Sequence, residues 1–205
     1  MLSAIEWKFD SLTTIAGHPV EVVGNPQLID TPAGKATEFH GAEVVYVPNH
    51  PLAGAAAFTW EVVFRPDGGP EEQRFFHLQE RDPATGEDGD GRMLFELRVI
   101  GDQWCLDGFV KSGANGLTII DRAKLFPLGR WYRATIVCTG SHVSAYVGQA
   151  LQGEGDLDYK PQLPGRSSIG MRVNRISPYH GAVLGARMTP RALAPEEFLA
   201  VPAGL

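Results

Sequence analysis

Between residues 92 and 99 the chain reads Arg92-Met93-Leu94-Phe95-Glu96-Leu97-Arg98-Val99. Successive side chains of a strand point to opposite faces. Met93, Phe95, Leu97 and Val99 therefore form an apolar face, and Arg92, Leu94, Glu96 and Arg98 turn away from it. Such alternation predicts a half-buried strand of an antiparallel sheet, one side on a core and one side polar.

The same texture extends in both directions. Short apolar runs are predicted as strands at Pro19–Val23, Lys35–Phe39, Val44–Val47, Phe58–Arg65, Arg74–Glu80, Met93–Val99 and Trp104–Val110. Five more follow at Leu117–Asp121, Tyr132–Thr139, His142–Val147, Ser167–Val173 and Ala182–Met188. Turn clusters separate them, such as PDGGP at 66–70, GEDGDG at 86–91, SGANG at 112–116 and CTGSH at 138–142. One short helical turn is expected near the C-terminus, where Pro195 suits a first turn and Glu196 and Glu197 suit the positive end of the helix dipole. Many short strands with no interleaved helices imply an all-β, two-sheet antiparallel β-sandwich. With 205 residues and no linker-like tract, a single domain over 1–205 is the simplest organisation.

Bulk properties narrow the partners. The net charge of −6, with Lys and Arg scattered, lacks the basic stripe that displaces counterions from phosphates, so no nucleic-acid partner is expected. No stretch is apolar and long enough for a membrane span. The opening MLSAIEWKFD has neither a basic n-region nor an apolar h-region, so the sequence at face value suggests a cytoplasmic protein; a secreted chain trimmed of its signal would read alike. Cys105 and Cys138 each lie in an apolar run and are expected to be buried thiols. Sandwich edges can pair between subunits, which makes a homo-dimer the assembly to look for.

Four segments in order carry a family resemblance. They are Phe39-His40-Gly41 with Val44, Val47 and Pro48; Phe58-Thr59-Trp60-Glu61-Val62-Val63-Phe64-Arg65-Pro66-Asp67; Leu128-Gly129-Arg130-Trp131-Tyr132 with Tyr146-Val147-Gly148; and Tyr179-His180-Gly181-Ala182-Val183 with Arg187 and Arg191 through Phe198. Together they resemble the laminin-G-like branch of the concanavalin A-like lectin/glucanase superfamily from about Phe39 to Phe198. The resemblance implies a jelly roll with one concave sheet that meets a glycan. Gly41 and Gly181 then mark tight turns or close strand approach, and Trp60 and Trp131 are expected in the core. The family's calcium positions do not carry over: His40 stands where Asp is common, and Gly148 follows Val147 without an intervening Asp.

If the strands from Arg74 to Phe109 pair consecutively, alternation groups their polar side chains. Phe76 and Leu78 oppose Phe75, His77 and Gln79; Trp104 and Leu106 oppose Cys105, Asp107 and Phe109; Arg172 and Asn174 point together. The candidate site is then an outward face bearing His77, Glu96 and Arg98 as catalytic groups, with Gln79, Asp107, Arg172, Asn174 and Phe109 as substrate contacts. Three chemistries compete for it. A retaining glycosidase needs two carboxylates about 5 Å apart, but Glu80, Glu96 and Asp107 lie on different strands and no Glu-x-Asp-x-x-Glu strand occurs. A polysaccharide lyase needs cations for a uronate carboxylate and a base for its α-proton. Arg98 or Arg172, Gln79 and His77 have those types, although the order His77-Leu78-Gln79 reverses that of jelly-roll alginate lyases. Plain binding needs only hydrogen bonds and an aromatic platform such as Phe75, Phe109 or Tyr179. The leading expectation is binding of a saccharide, acidic if the arginines are used. A lyase-type enzyme comes second, and a module that binds protein through its loops third.

The loop Asp82–Gly91 concentrates acids and glycines and offers Asp82, Asp88 and Asp90 as candidate Ca2+ ligands, without EF-hand spacing. His50, His142 and His180 fall in turns, and no zinc or nucleotide motif is present.

Overall fold

The computed structural model describes residues 3–205. Two eight-stranded antiparallel sheets face each other. The first runs β16 (Ala150–Asp156), β15 (His142–Val147), β14 (Tyr132–Cys138), β8 (Phe58–Pro66), β18 (His180–Thr189), β6 (Gly34–His40) and β5 (Gln27–Thr31). Strand β1 (Ile5–Lys8) extends it by pairing with Gly185–Met188 of β18, beyond the point where β6 leaves that edge. The second runs β12 (Asn115–Ile120), β11 (Gln103–Ser112), β10 (Asp88–Ile100), β9 (Glu72–Arg81), β17 (Gly165–Ile169), β7 (Val44–Val47) and β4 (Glu21–Val23). Strand β13 (Phe126–Pro127) pairs with β11, and β2 (Thr14–Ile15) forms a small hairpin with β3 (His18–Pro19). The one helical turn is 3-10, at Pro195–Glu197, where expected.

The inner faces supply one core. Trp60 of β8 sits between Phe76 of β9 and Phe95 of β10, with ring centroids 5.0 and 4.3 Å away. Phe64 stacks on Phe75 at 4.2 Å. Gly108 interrupts the apolar face of β11 opposite Ile136 and Ala145 of the first sheet. Both cysteines are buried and free.

Gly41 and Gly181 do what the sequence suggested. Gly41 has φ 95°, and a Cβ there would lie 2.1 Å from the His180 ring. At Gly181 a Cβ would lie 2.1 Å from the Arg65 carbonyl oxygen. Neither approach tolerates a side chain.

Two expectations about core residues are corrected. Trp131 is only partly buried: it precedes β14 rather than lying within it, and the Arg65 guanidinium covers its ring at 5.4 Å. Phe75 does not share the outward face with His77, because β9 carries a bulge. Phe95 of β10 pairs with Phe76 while its neighbour Glu96 pairs with Arg74, so Phe75 and Phe76 both enter the core.

Part of the outward face of the first sheet is covered by the chain's own C-terminal segment. Leu193 and Phe198 pack on Val137, Arg187 pairs with Glu61 at 2.6 Å, and the Leu199 amide donates to the same carboxylate. Beside that segment a hollow of about 260 Å³ remains on the first sheet, lined by Glu6, Lys8, Val63, Arg187 and Leu199, whereas the polar groups read from the sequence lie on the outward face of the second sheet.

Candidate functional site

Strands β9, β10, β11 and β12 pair consecutively, as the sequence required. Leu94 lies between His77 and Phe109, and Glu96 lies opposite Asp107. Thr118 of β12 pairs with Phe109. A cleft of about 250 Å³ opens over this face, lined by Arg74, Arg92, Leu94, Glu96, Arg98, Asp107, Phe109, Thr118 and Arg172. Of the residues read from the sequence, Glu96, Arg98, Asp107, Phe109 and Arg172 converge there.

Arg98 is the hub of the cleft floor. Its Nη2 lies 2.5 Å from Asp107 Oδ2 and 3.4 Å from Glu96 Oε2, and 3.8 Å from Glu72 at the rim. Arg74 adds a contact to Glu96 at 3.2 Å and also pairs with Glu72 and Ser177. The two carboxylates are thus directed at one guanidinium, with side chains 8 % and 4 % exposed. Arg98 engages one oxygen of each, and Asp107 Oδ1 is buried without a hydrogen-bond partner among the described residues. Burial pushes Asp107 up to about 6; Arg98 opposes that shift, Glu96 adds to it, and Arg74 and Glu72 act in turn against and with it.

The walls are different. Arg92 lies over the Phe109 ring at 5.3 Å, and its hydrogen bond is a long one, 3.5 Å to the Asp90 carbonyl oxygen. Arg172 makes no side-chain hydrogen bond or ion pair among the described residues, and its Nε is buried without a partner. Burial first, then the guanidiniums of Arg92 and Arg74, push Arg172 below its ordinary value. Four arginines therefore face two carboxylates in the lining, with Glu72 outside it.

His77, Gln79 and Asn174 are not in the cleft. His77 is 0 % exposed, and its Nδ1 accepts the Val173 amide at 3.2 Å. Burial, then the charges of Arg172, Arg92 and Arg166, hold it well below the usual imidazole range. Gln79 donates to the carbonyls of Glu80, Gly89 and Gly91, securing the β9–β10 hairpin. Asn174 is exposed on a loop, because β17 ends at Ile169 rather than continuing to Val173. Gly170, with φ 90°, turns the chain out of the sheet, and Met171 and Val173 then pack down on Val44 and Tyr46.

Four members of the cleft lie outside the sequence-predicted set: Arg74, Arg92, Leu94 and Thr118. Arg92 and Leu94 have the outward parity of Glu96, and Thr118 comes from the neighbouring strand β12. Arg74 has the wrong parity, since strict alternation puts it with Phe76 and Leu78; the bulge reverses that parity and brings it outward.

The acidic loop separates its candidates. Asp82 accepts from the Ala84 and Thr85 amides, Asp88 pairs with Arg81 and Arg166, and Asp90 pairs with Lys111. Each carboxylate has its own partner, so the expected Ca2+ ligand set does not assemble. No group of three or more potential metal ligands occurs among the described residues. No helix of the described residues is long and apolar enough to cross a membrane.

Comparison with solved structures gives the fold a context. Domain 4 of AbnA, an extracellular arabinanase from Geobacillus stearothermophilus solved in complex with arabinotriose, superposes with TM-score 0.67 at 16 % identity over 94 % of both chains. The binding domain of botulinum neurotoxin DC in complex with SialylT gives 0.62 at 13 % identity over 95 % of this chain and 49 % of that one. The binding domain of Paraclostridial Mosquitocidal Protein 1 gives 0.63 at 12 %, again over about half of its length, 49 %. No curated protein sequence matches significantly. The family model for the concanavalin A-like lectin/glucanases superfamily matches residues 39–198. With that match over most of its length and the two-sheet sandwich beneath it, the chain belongs to the concanavalin A-like lectin/glucanases superfamily.

Proposed function

We propose that the chain is a carbohydrate-binding protein whose cleft on the second sheet takes an acidic saccharide. The observation that carries this reading is the pair Arg92 and Arg172, two guanidiniums directed to one cleft without carboxylate partners among the described residues. A guanidinium fork matches a carboxylate in geometry and charge. Phe109 holds the Arg92 guanidinium in place over its ring, and the Thr118 hydroxyl adds a hydrogen-bonding group of the kind that orients a sugar. The arabinotriose and SialylT complexes of two structural neighbours are consistent with a saccharide ligand.

Binding is favoured over cleavage by the state of the titratable groups. The imidazole that a lyase would use as base is enclosed, and the carboxylates that a glycosidase would use are bound to Arg98. Calorimetric titration of uronate oligosaccharides at low salt, with neutral arabino-oligosaccharides as comparison, tests the reading. The uronates bind more tightly, and Arg92→Ala and Arg172→Ala each lose about tenfold, the worth of one charge-assisted hydrogen bond. Absence of uronate binding would overturn the reading. Ultraviolet-absorbing unsaturated products from a uronate polymer would replace it with a lyase.

A further inference from the structure

The segment that leaves the sheet at Gly170 crosses the outward face before rejoining the fold at Tyr179 and β18. Contacts that hold it down include the Val173 amide on His77, the Tyr46 hydroxyl on the Val173 carbonyl at 3.1 Å, the Arg74 amide on the Ser177 carbonyl at 2.9 Å and the Ser168 hydroxyl on the Met171 carbonyl at 2.6 Å. Within it, the Arg175 amide donates to the Arg172 carbonyl at 2.8 Å and closes a β-turn. Arg175 and Ser177 adopt left-handed backbone, with φ 61° and 54°, conformations that non-glycine residues seldom hold without supporting contacts.

This turn divides the face into two depressions. On one side Arg172 lines the cleft described above. On the other, a hollow of about 390 Å³ is bordered by Tyr46, Arg81, Arg166, Arg175, Glu21 and Val173. Its charge balance repeats that of the first. Arg166 and Arg81 share the single carboxylate of Asp88, at 2.5 and 3.5 Å, and the one side-chain hydrogen bond of Arg175 among the described residues goes to the Tyr46 hydroxyl, at 3.3 Å. Arg166 also lies over the Tyr46 ring at 5.9 Å. Three guanidiniums thus face one carboxylate, Glu21, in the lining, with Asp88 outside it. The first and last residues of a β-turn have Cα atoms within about 7 Å, so Arg172 and Arg175 present the two hollows side by side.

We propose that the hollow beside Arg175 is a second anionic subsite, and that the Arg172–Arg175 turn lets one linear acidic glycan occupy both hollows at once. The inference rests on the saccharide reading of the first cleft and adds the length and charge repeat of its ligand. Two linked subsites convert the second contact into an intramolecular one, so affinity rises with chain length once the ligand spans both.

The test is calorimetric titration of uronate oligosaccharides of about two and about six residues. It is run on the full chain, on Arg92→Ala, and on Arg166→Ala combined with Arg175→Gly. Glycine at 175 suits the left-handed backbone and preserves the turn, and a thermal melt verifies that each variant is folded. The parent chain gains at least about tenfold from the short to the long ligand. The Arg166/Arg175 double variant keeps its affinity for the short ligand and loses that gain, whereas Arg92→Ala weakens both lengths alike. A length gain that survives in the double variant overturns the second subsite and leaves the first cleft standing. Failure of the parent chain to bind either length overturns both proposals. Equal binding of single-stranded nucleic acid through the same arginines overturns the glycan assignment.

Discussion

The backbone amide of Val173 donates a hydrogen bond to Nδ1 of His77, 3.2 Å away, joining a loop to the middle of a sheet face. This contact fixes the histidine tautomer, with its proton on Nε2, and seats the loop that brings Arg172 to the cleft. The imidazole is structural, and its protonation would both strand a buried charge and remove the acceptor.

His77→Asn, which retains an acceptor, is expected to cost about 1–2 kcal/mol at pH 7.5, and His77→Ala about 2–3 kcal/mol. Because the folded histidine titrates well below its unfolded value, it is neutral in both states above the unfolded pKa of 6.5. As pH falls below that value the unfolded chain takes up a proton that the fold refuses, and stability is lost. Urea unfolding at pH 7.5 and 5.5 should therefore show the gap between parent and His77→Asn narrowing at the lower pH. Buried His50, which is likewise lowered by burial, leaves a residual slope in the variant.

Removing Arg98 leaves Asp107 and Glu96 buried with only Arg74 to compensate them. Arg98→Ala is expected to destabilise by about 3–5 kcal/mol at pH 7, as breaking one side of a buried ion pair does. Asp107→Asn should cost much less, since it removes a charge that burial already disfavours. Denaturant midpoints at constant slope would establish the order.

Asp107, with a folded pKa of about 6, should make anion binding pH-dependent. Above that pH its charge offsets Arg98; below it the cleft gains one net positive charge, while uronate carboxylates stay ionised. Affinity for a uronate is expected to rise roughly three- to tenfold from pH 7.5 to 5.5. Arg98, Glu96, Arg74 and Glu72 face the same carboxyl group, and Glu72 is itself held below the usual carboxylate range, first by its hydrogen bond from Arg74. The Asp107→Asn variant should bind with little pH dependence.

Gly170→Ala tests the departure of the loop from the sheet. A Cβ there would lie 2.2 Å from the Phe39 ring, on a backbone of φ 90°. The expected loss is about 2–4 kcal/mol, together with faster amide exchange at Val173.

Much of this molecule could be read from its amino-acid order. Period-two alternation in residues 92–99 and 104–110, and the turn clusters between them, prescribe an antiparallel sandwich, because a pleated strand has only two faces and one must be dry. The same alternation groups Glu96, Arg98, Asp107 and Phe109, which the sheet then brings together. What alternation cannot supply is its own interruption. The bulge at Phe75–Phe76 turns Phe75 inward and Arg74 outward, a choice made by the aromatic packing of Phe64, Trp60 and Phe95 rather than by local pattern. Nor does local order say that Gly170 ends β17, that the following loop encloses His77, or that the C-terminal segment packs on the other sheet. Those outcomes depend on contacts between residues far apart in the chain, and only the tertiary structure decides them.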